Sequence, residues 1–244
     1  SAWHAHKFAA YFASGTPDTG LAGAREVSRM IRRTARRQLQ GYGPIAGDAL
    51  LRQEIAARSV KNGIEVLADD LIITSGAQEA LFISINVVTR PGDLIAVESP
   101  TYHGLINAIQ QSGRKMVEIP TDSCGGINLP ALSLALAELP VKAIVVSSSV
   151  QNPLGCSMND LSRKALVELA NEHKIVVIED DAHGDLIYAR HRQPSLRAFD
   201  TQDRVLTCGS FSKTLAPELR VGWLDAAQWR DQALGFKHAV SQRS

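Results

Sequence analysis

Cysteine is scarce in this sequence: Cys124, Cys156 and Cys208 are the only three, far apart and without a CxxC pair. An odd, scattered set supports neither a disulfide framework nor a zinc site, so no metal is expected and a reducing compartment fits. A surplus of either charge is also missing, since 26 Lys and Arg face 25 Asp and Glu and leave a formal +1. That balance excludes a chain that binds polyanions by bulk charge. No window approaches the roughly 18 consecutive apolar residues of a membrane span. The opening residues, Ser1 to Lys7, lack the apolar core of a secretory signal. These absences lead us to expect a cytoplasmic protein with no membrane contact.

What is present is material for a sizeable core, with 45% hydrophobic and 21% charged residues over 244 positions. From Leu71 onward, short β-branched apolar runs alternate with segments of helical period. That rhythm marks βαβ units and a buried, mostly parallel sheet. The runs predict strands over 71–74, 94–97, 115–119, 143–146, 175–178, 205–208 and 221–224. Seven strands make one large sheet of an α/β fold, with helices on both faces. One predicted helix covers 161–172, with Leu161, Ala165, Leu166, Leu169 and Ala170 as its apolar stripe and Asn159 or Asp160 as its cap. No repeat, low-complexity tract or linker interrupts the chain, so 1–244 reads as a single domain.

The first 40 residues differ. Ser14-Gly15-Thr16-Pro17-Asp18 leads into a helix carrying Arg25, Arg29, Arg32, Arg33, Arg36 and Arg37. With the net charge near zero, this reads as a solvated face with Val27, Ile31 and Leu39 turned inward. A contact with DNA, an acidic partner or another domain is the alternative.

Residues able to carry chemistry gather where strands end. Lys213 sits between small hydroxyl residues just past a strand, with Arg220 seven positions on. A lysine so placed can hold an aldehyde cofactor as a Schiff base while Ser210, Ser212 and Arg220 hold its phosphate. Upstream, Glu179-Asp180-Asp181-Ala182-His183-Gly184-Asp185-Leu186 follows a β-branched strand, which puts its acids at the carboxyl end of the sheet, where ligands bind in open α/β folds. Ser75-Gly76-Ala77-Gln78 joins a strand to a helix, so the amides of Gly76, Ala77 and Gln78 form an anion cradle at the helix N-terminus. Tyr102 follows a proline turn in Glu98-Ser99-Pro100-Thr101-Tyr102, and Asn152 lies in Gln151-Asn152-Pro153-Leu154-Gly155 between a strand and a helix. The element from Gly41 to Arg52, with Tyr42 in it, is by itself a turn before a helix.

Taken in chain order, these segments resemble the fold-type I pyridoxal 5'-phosphate (PLP) enzymes, the class I/II aminotransferase superfamily. The segment from Ser210 to Trp223 resembles its S-x-S-K-x-x-x-P-G-x-R-x-G-x motif, with Glu218 where the family commonly has glycine. The resemblance implies the fold of a PLP-dependent transferase large domain and a role for each residue. Lys213 would form the internal aldimine, and Asp180 would pair with the pyridinium nitrogen so that the ring can accept electrons. Asn152 would donate to the phenolic oxygen, and Tyr102 would stack on the ring. His183 stands where the family usually has a tyrosine that bonds the same oxygen, and reads either as that donor or as a surface histidine. Ser75, Gly76, Ala77, Gln78, Ser210, Ser212 and Arg220 would hold the phosphate. Tyr42 matches a tyrosine that crosses to the neighbouring subunit's phosphate, which implies a homodimer.

Within the superfamily, VESPTYHGL, QNPLG, IEDDAHGDL, RAFD and SFSKTLAPELRVGW resemble the C-terminal domain of MocR-type regulators in the GntR group. The resemblance covers about residues 12 to 230. It implies an effector domain that senses PLP or an amino compound, with DNA read by a winged-helix domain absent from this chain. The chain also stops before the small domain of the family and its carboxylate-binding arginine, so a piece of a longer protein is expected. The alternatives are a catalytic aminotransferase and a domain that has lost the cofactor and serves only for dimerisation.

Overall fold

The computed structural model describes Gly15, Pro17 and residues 24–34, 43–61, 63–122, 125–188 and 192–241. Tyr42, Cys124, Arg36, Arg37 and Leu39 lie outside the described residues, as does the Arg25 side chain. Strands form where β-branched residues can be covered on both sides. They are β1 (Leu71–Thr74), β2 (Leu94–Ser99), β3 (Lys115–Asp122), β4 (Gly126–Ile127), β5 (Val141–Val146), β6 (Val176–Asp180), β7 (Val205–Ser210) and β8 (Gly222–Asp225). All join in one sheet of order β1-β8-β7-β6-β5-β2-β3-β4. Strands β3, β2, β5, β6 and β7 run parallel, whereas β8 is antiparallel to both its neighbours and β4 is antiparallel to β3.

The predicted seven strands are therefore all present, and the two-residue β4 is an addition too short to leave a periodic signature. Most of the expected boundaries stop early at the carboxyl end. The apolar runs end at Val97, Ile178 and Cys208, but the ladders continue through Glu98-Ser99, Glu179-Asp180 and Gly209-Ser210. Glu98, Glu179 and Ser210 are accommodated in these extensions because their side chains have hydrogen-bond partners.

Alternate strand residues face opposite helical layers, as the period of two requires. Ala143 and Val145 of β5 pack in a core with α3 (Ala77–Val88), α4 (His103–Gln111) and α7 (Arg230–Val240). Ile144 and Val146 pack on the other face with α5 (Leu129–Glu138) and α6 (Asp160–Glu172). Helix α2 (Ala49–Lys61) covers β1 through Ile55 and Ala56. No helix among the described residues is long and apolar enough to cross a membrane.

Two predicted helical faces are corrected. On α6, Asn159 is the cap, its side chain accepting from the Ser162 N–H at 2.9 Å. That start directs Arg163, Leu166, Val167 and Ala170 inward, while Leu161 is 80% exposed. On α1 (Ala24–Thr34), Ile31 is not inward but 51% exposed, beside Met30 at 54%; only Val27 is half-buried. Arg29, Arg32 and Arg33 are exposed.

Arg163 is the unexpected occupant of the α6 core row. It is fully buried and donates to the carbonyls of Met158 (2.9 Å), Ser148 (2.8 Å) and Pro194 (2.9 Å), and to the hydroxyls of Ser148 and Ser149. It also faces Glu179, itself fully buried, at 3.8 Å. Glu179 accepts from the Ser148 and Ser195 hydroxyls and from the Leu196 N–H at 3.1 Å. Removing one partner of such a pair strands the other charge without water. Arg163→Met is expected to lower the unfolding free energy by about 3–5 kcal/mol, read from the urea midpoint. Lys164→Met, on the exposed side of the same helix, should stay within about 0.5 kcal/mol.

Candidate functional site

The carboxyl ends of β1, β2, β5, β6 and β7 share one edge of the sheet, and β8, running the other way, starts there. Gly222 at the head of β8 pairs with both Thr74 of β1 and Ser210 of β7. The register leaves no room for a side chain, because a Cβ on Gly222 would fall 2.5 Å from the Gly76 carbonyl carbon. Three segments from distant parts of the chain thus meet backbone to backbone.

Arg220 enters this junction in a left-handed conformation, φ 49° and ψ 41°. Its guanidinium donates to Ser212 Oγ at 3.2 Å and to the Ser75 carbonyl at 2.9 Å. The Ser212 N–H donates to Ser210 Oγ at 3.0 Å, closing a cluster of hydroxyls around the cation. Gly76 takes φ 82° and ψ 174°, a region open essentially to glycine alone, and a Cβ there would lie 2.6 Å from the guanidinium. The sequence reading needs one change here. The Gly76 N–H donates to the Thr74 carbonyl at 2.9 Å, and the Ser75 N–H to the Glu79 carboxylate, so neither amide is free for an anion. Ala77 and Gln78 open helix α3 and do line the space in front of Arg220. Glu218, next to this cluster in sequence, is exposed.

That space is a cavity of ≈ 540 Å³. Ala77, Gln78, Tyr102, Asn152, Asp180, His183, Ser210, Ser212, Lys213 and Arg220 all line it, whereas Ser75 and Gly76 do not, Ser75 contributing through its carbonyl bond to Arg220. Tyr42 falls outside the described residues. Asp180, the last residue of β6, is buried and accepts from the Ala182 N–H at 3.1 Å. Burial pushes its carboxyl up to about 6, against the pull of that N–H; Glu179 adds to the rise and Lys213 opposes it. The Lys213 amine is lowered by burial and by Arg220, with Asp180 opposing. Burial, and then Lys213, lowers His183, which favours the neutral imidazole. Tyr102 is raised by burial and next by Asp180.

Tyr102 caps α4, and its ring lies over Gly104, where any Cβ would overlap it. The Gln78 side-chain amide donates to the Gly104 carbonyl at 2.8 Å, linking the head of α3 to this aromatic shelf.

The sequence reading missed Gly15. Its carbonyl accepts from Lys213 Nζ at 2.7 Å, and it lines the cavity. Gly15 and Lys213 are 198 positions apart, so no local spacing could reveal the contact. His103 and Pro217 also line the cavity. The neighbouring network of Arg192 with Asp181 and Asp185, and of Arg58 with Asp185, was equally invisible. It ties α2 to the turn that carries His183.

Comparison with known proteins agrees with the geometry. The family described as aminotransferase class I and II matches residues 12–238. An uncharacterised HTH-type transcriptional regulator, YjiR of Escherichia coli, is 40% identical over 93% of this chain and 49% of its own length. The probable rhizopine catabolism regulatory protein MocR of Rhizobium meliloti is 31% identical over 88% of this chain and 43% of its own. The crystal structure of an archaeal alanine:glyoxylate aminotransferase superposes with a TM-score of 0.90 at 30% identity, covering 95% of this chain and 59% of that one. The chain therefore spans about half the length of the curated relatives it matches.

Because Gly76 has no room for a methyl group, Gly76→Ala should displace Arg220 and cost about 1–3 kcal/mol in backbone strain. Isothermal titration with pyridoxal phosphate is expected to record weaker binding than wild type. Pyridoxal lacking the phosphate should bind both proteins alike.

Proposed function

The chain belongs to the class I and II aminotransferase family, and from that premise we propose that it is the PLP-binding effector module of a MocR-type regulator of the GntR group. Identity supports the regulator half of this reading: the chain is 40% identical to the helix-turn-helix regulator YjiR, against 34% to the aromatic-amino-acid aminotransferase 1 of Thermococcus litoralis.

The residues present fit the cofactor. A guanidinium, hydroxyls and the head of a helix line the cavity, with a glycine where a Cβ would collide with the cation. A buried carboxyl and an amine line the same cavity. When bound, pyridoxal phosphate supplies an electron sink for the bonds of an attached amine's α-carbon. Ala77 and Gln78 N–H groups, Ser210, Ser212 and Arg220 would hold its phosphate. Asp180 would keep the proton on the ring nitrogen. Asn152, and His183 in its neutral form, would donate to the phenolic oxygen, and Tyr102 would cover one face of the ring. Lys213 would supply the tethering amine, its lowered pKa raising the fraction able to attack an aldehyde. An amino compound displacing Lys213 would then be the signal, and DNA would be read by a separate winged-helix domain. A homodimer with Tyr42 reaching the neighbouring site belongs to the same proposal, as does a cytoplasmic setting for one domain over 1–244.

A catalytic aminotransferase is the second reading, favoured by the superposition on a solved enzyme of that class. There the freed Lys213 would carry the proton between α-carbon and cofactor.

Borohydride reduction followed by mass spectrometry tests the tether: wild type is expected to keep the cofactor mass and Lys213→Ala to lose it. Equal labelling of both would overturn the assignment. A panel of amino acids then separates the readings, since recovery of a 2-oxo acid product favours the enzyme and spectral change without product favours the sensor.

Asp180 predicts a pH dependence. Its value of about 6 lies above that of a carboxylate in water. The ligand-free fold therefore loses stability as pH rises through about 6, where the buried group must ionise. Cofactor affinity should move the other way, because only the ionised group can pair with the ring nitrogen. Wild-type affinity is expected to gain more than that of Asp180→Asn between about pH 5 and pH 7, the comparison cancelling the phosphate's own titration near 6. Parallel profiles would remove Asp180 from the role.

A further inference from the structure

Gln151 sits beside Asn152 in the turn after β5, yet its side chain does not join the cavity lining. It is 1% exposed, and each of its four polar groups has a partner. The backbone N–H donates to the Cys156 carbonyl at 2.8 Å, and the backbone carbonyl accepts from the Gly155 N–H at 2.6 Å. Oε1 accepts from the Leu154 N–H at 2.9 Å. These three bonds coil the Asn152-Pro153 turn around Gln151. The fourth leaves the turn: Nε2 donates to the Pro100 carbonyl at 2.7 Å, two residues before Tyr102.

The two turns that Gln151 joins are separate in sequence and carry different contacts. Pro100 belongs to the β2–α4 connection, which delivers the Tyr102 ring, while Asn152 follows β5. Beneath them, β2 and β5 are neighbouring parallel strands whose ladder ends at Val97 and Val145. One step beyond, Glu98 Oε2 accepts from the Ser147 N–H at 2.8 Å. Past that point the two strands no longer pair, and Gln151 joins their connections with a part-buried bond. A loop freed of it would have to order itself when a ligand arrives, and that ordering weakens binding.

We propose that Gln151 is a positioning residue that locks the Tyr102 turn to the Asn152 turn, so that ring shelf and amide meet the cofactor as one preorganised unit. The inference rests on the PLP reading above and assigns to Gln151 no contact with the cofactor itself.

The test is a double-mutant cycle on pyridoxal phosphate affinity and on the visible circular dichroism of the bound cofactor, which reports how the ring is held. Gln151→Met keeps the side chain's length and removes both amide bonds. It is expected to weaken binding by about tenfold, the scale of losing the one bond that crosses to Pro100, and to reduce the visible dichroism. Placed on Tyr102→Ala/Asn152→Ala, the same change should cost less than about threefold, because nothing remains to be positioned. Full additivity in that background, or wild-type affinity and dichroism for Gln151→Met, would overturn the proposal. A wild type that takes up no cofactor would instead defeat the PLP reading on which it stands. Should Gln151→Met give no folded protein by far-ultraviolet dichroism, Gln151→Asn carries the test. Its amide is one methylene shorter and falls short of the Pro100 carbonyl, so the same loss is expected, and unchanged binding would count against the proposal.

Discussion

A cation and an anion without access to water hold the functional edge of this protein in place. Arg163 and Glu179 are tolerated in the interior only because each has its partner and a full set of hydrogen bonds. Meeting that demand draws together the end of β6, the Ser148 segment after β5 and the stretch around Ser195. Successive strand residues point to opposite faces. With Glu179 committed to the α6 side, Asp180 must face the other way, into the cavity that it lines. An interaction remote from any ligand thereby orients the carboxyl on which the proposed chemistry turns.

Burial has a second consequence at the same strand end. The environment that excludes water from Asp180 raises its pKa to about 6, and the amine of Lys213 is pushed down for the same reason. Each group is made easier to neutralise by desolvation while each favours the charged form of the other. A buried acid and a nearby amine in such mutual tension are suited to a ligand that brings a basic nitrogen and an aldehyde. The same cavity also has fixed positive character from Arg220 and the head of α3, held by backbone packing at Gly76 and Gly222 that admits no side chain.

Much of this was legible beforehand, and for a physical reason. The turns that follow parallel strands are local, so their glycines, prolines and capping residues stand together in the chain, and Lys213, Asp180, Asn152 and Tyr102 could be placed from their immediate neighbours. Errors arose where neighbours mislead. Leu161 looked like the start of an apolar stripe, but the cap at Asn159 rotated Arg163 into the core instead. Ile31 fits a helical period equally well and is exposed. The expected strands stopped short of Glu98, Glu179 and Ser210 because polarity was read as exposure, whereas these side chains find partners in connections distant in the chain or in the turn beyond, such as Ser147, Ser195 and Ser212.

Composition and pattern alone determined the α/β class, the succession of strands and helices, and the kinds of group at each strand's end, because propensity, capping and turn chemistry act over a few residues. Tertiary structure alone decided which ends meet. The reversal of β8 brought Arg220 to Gly76, and the contact of Lys213 with Gly15 crossed 198 positions. Such choices depend on which faces can be buried together without stranding a charge, a property of the assembled sheet that no stretch of chain contains.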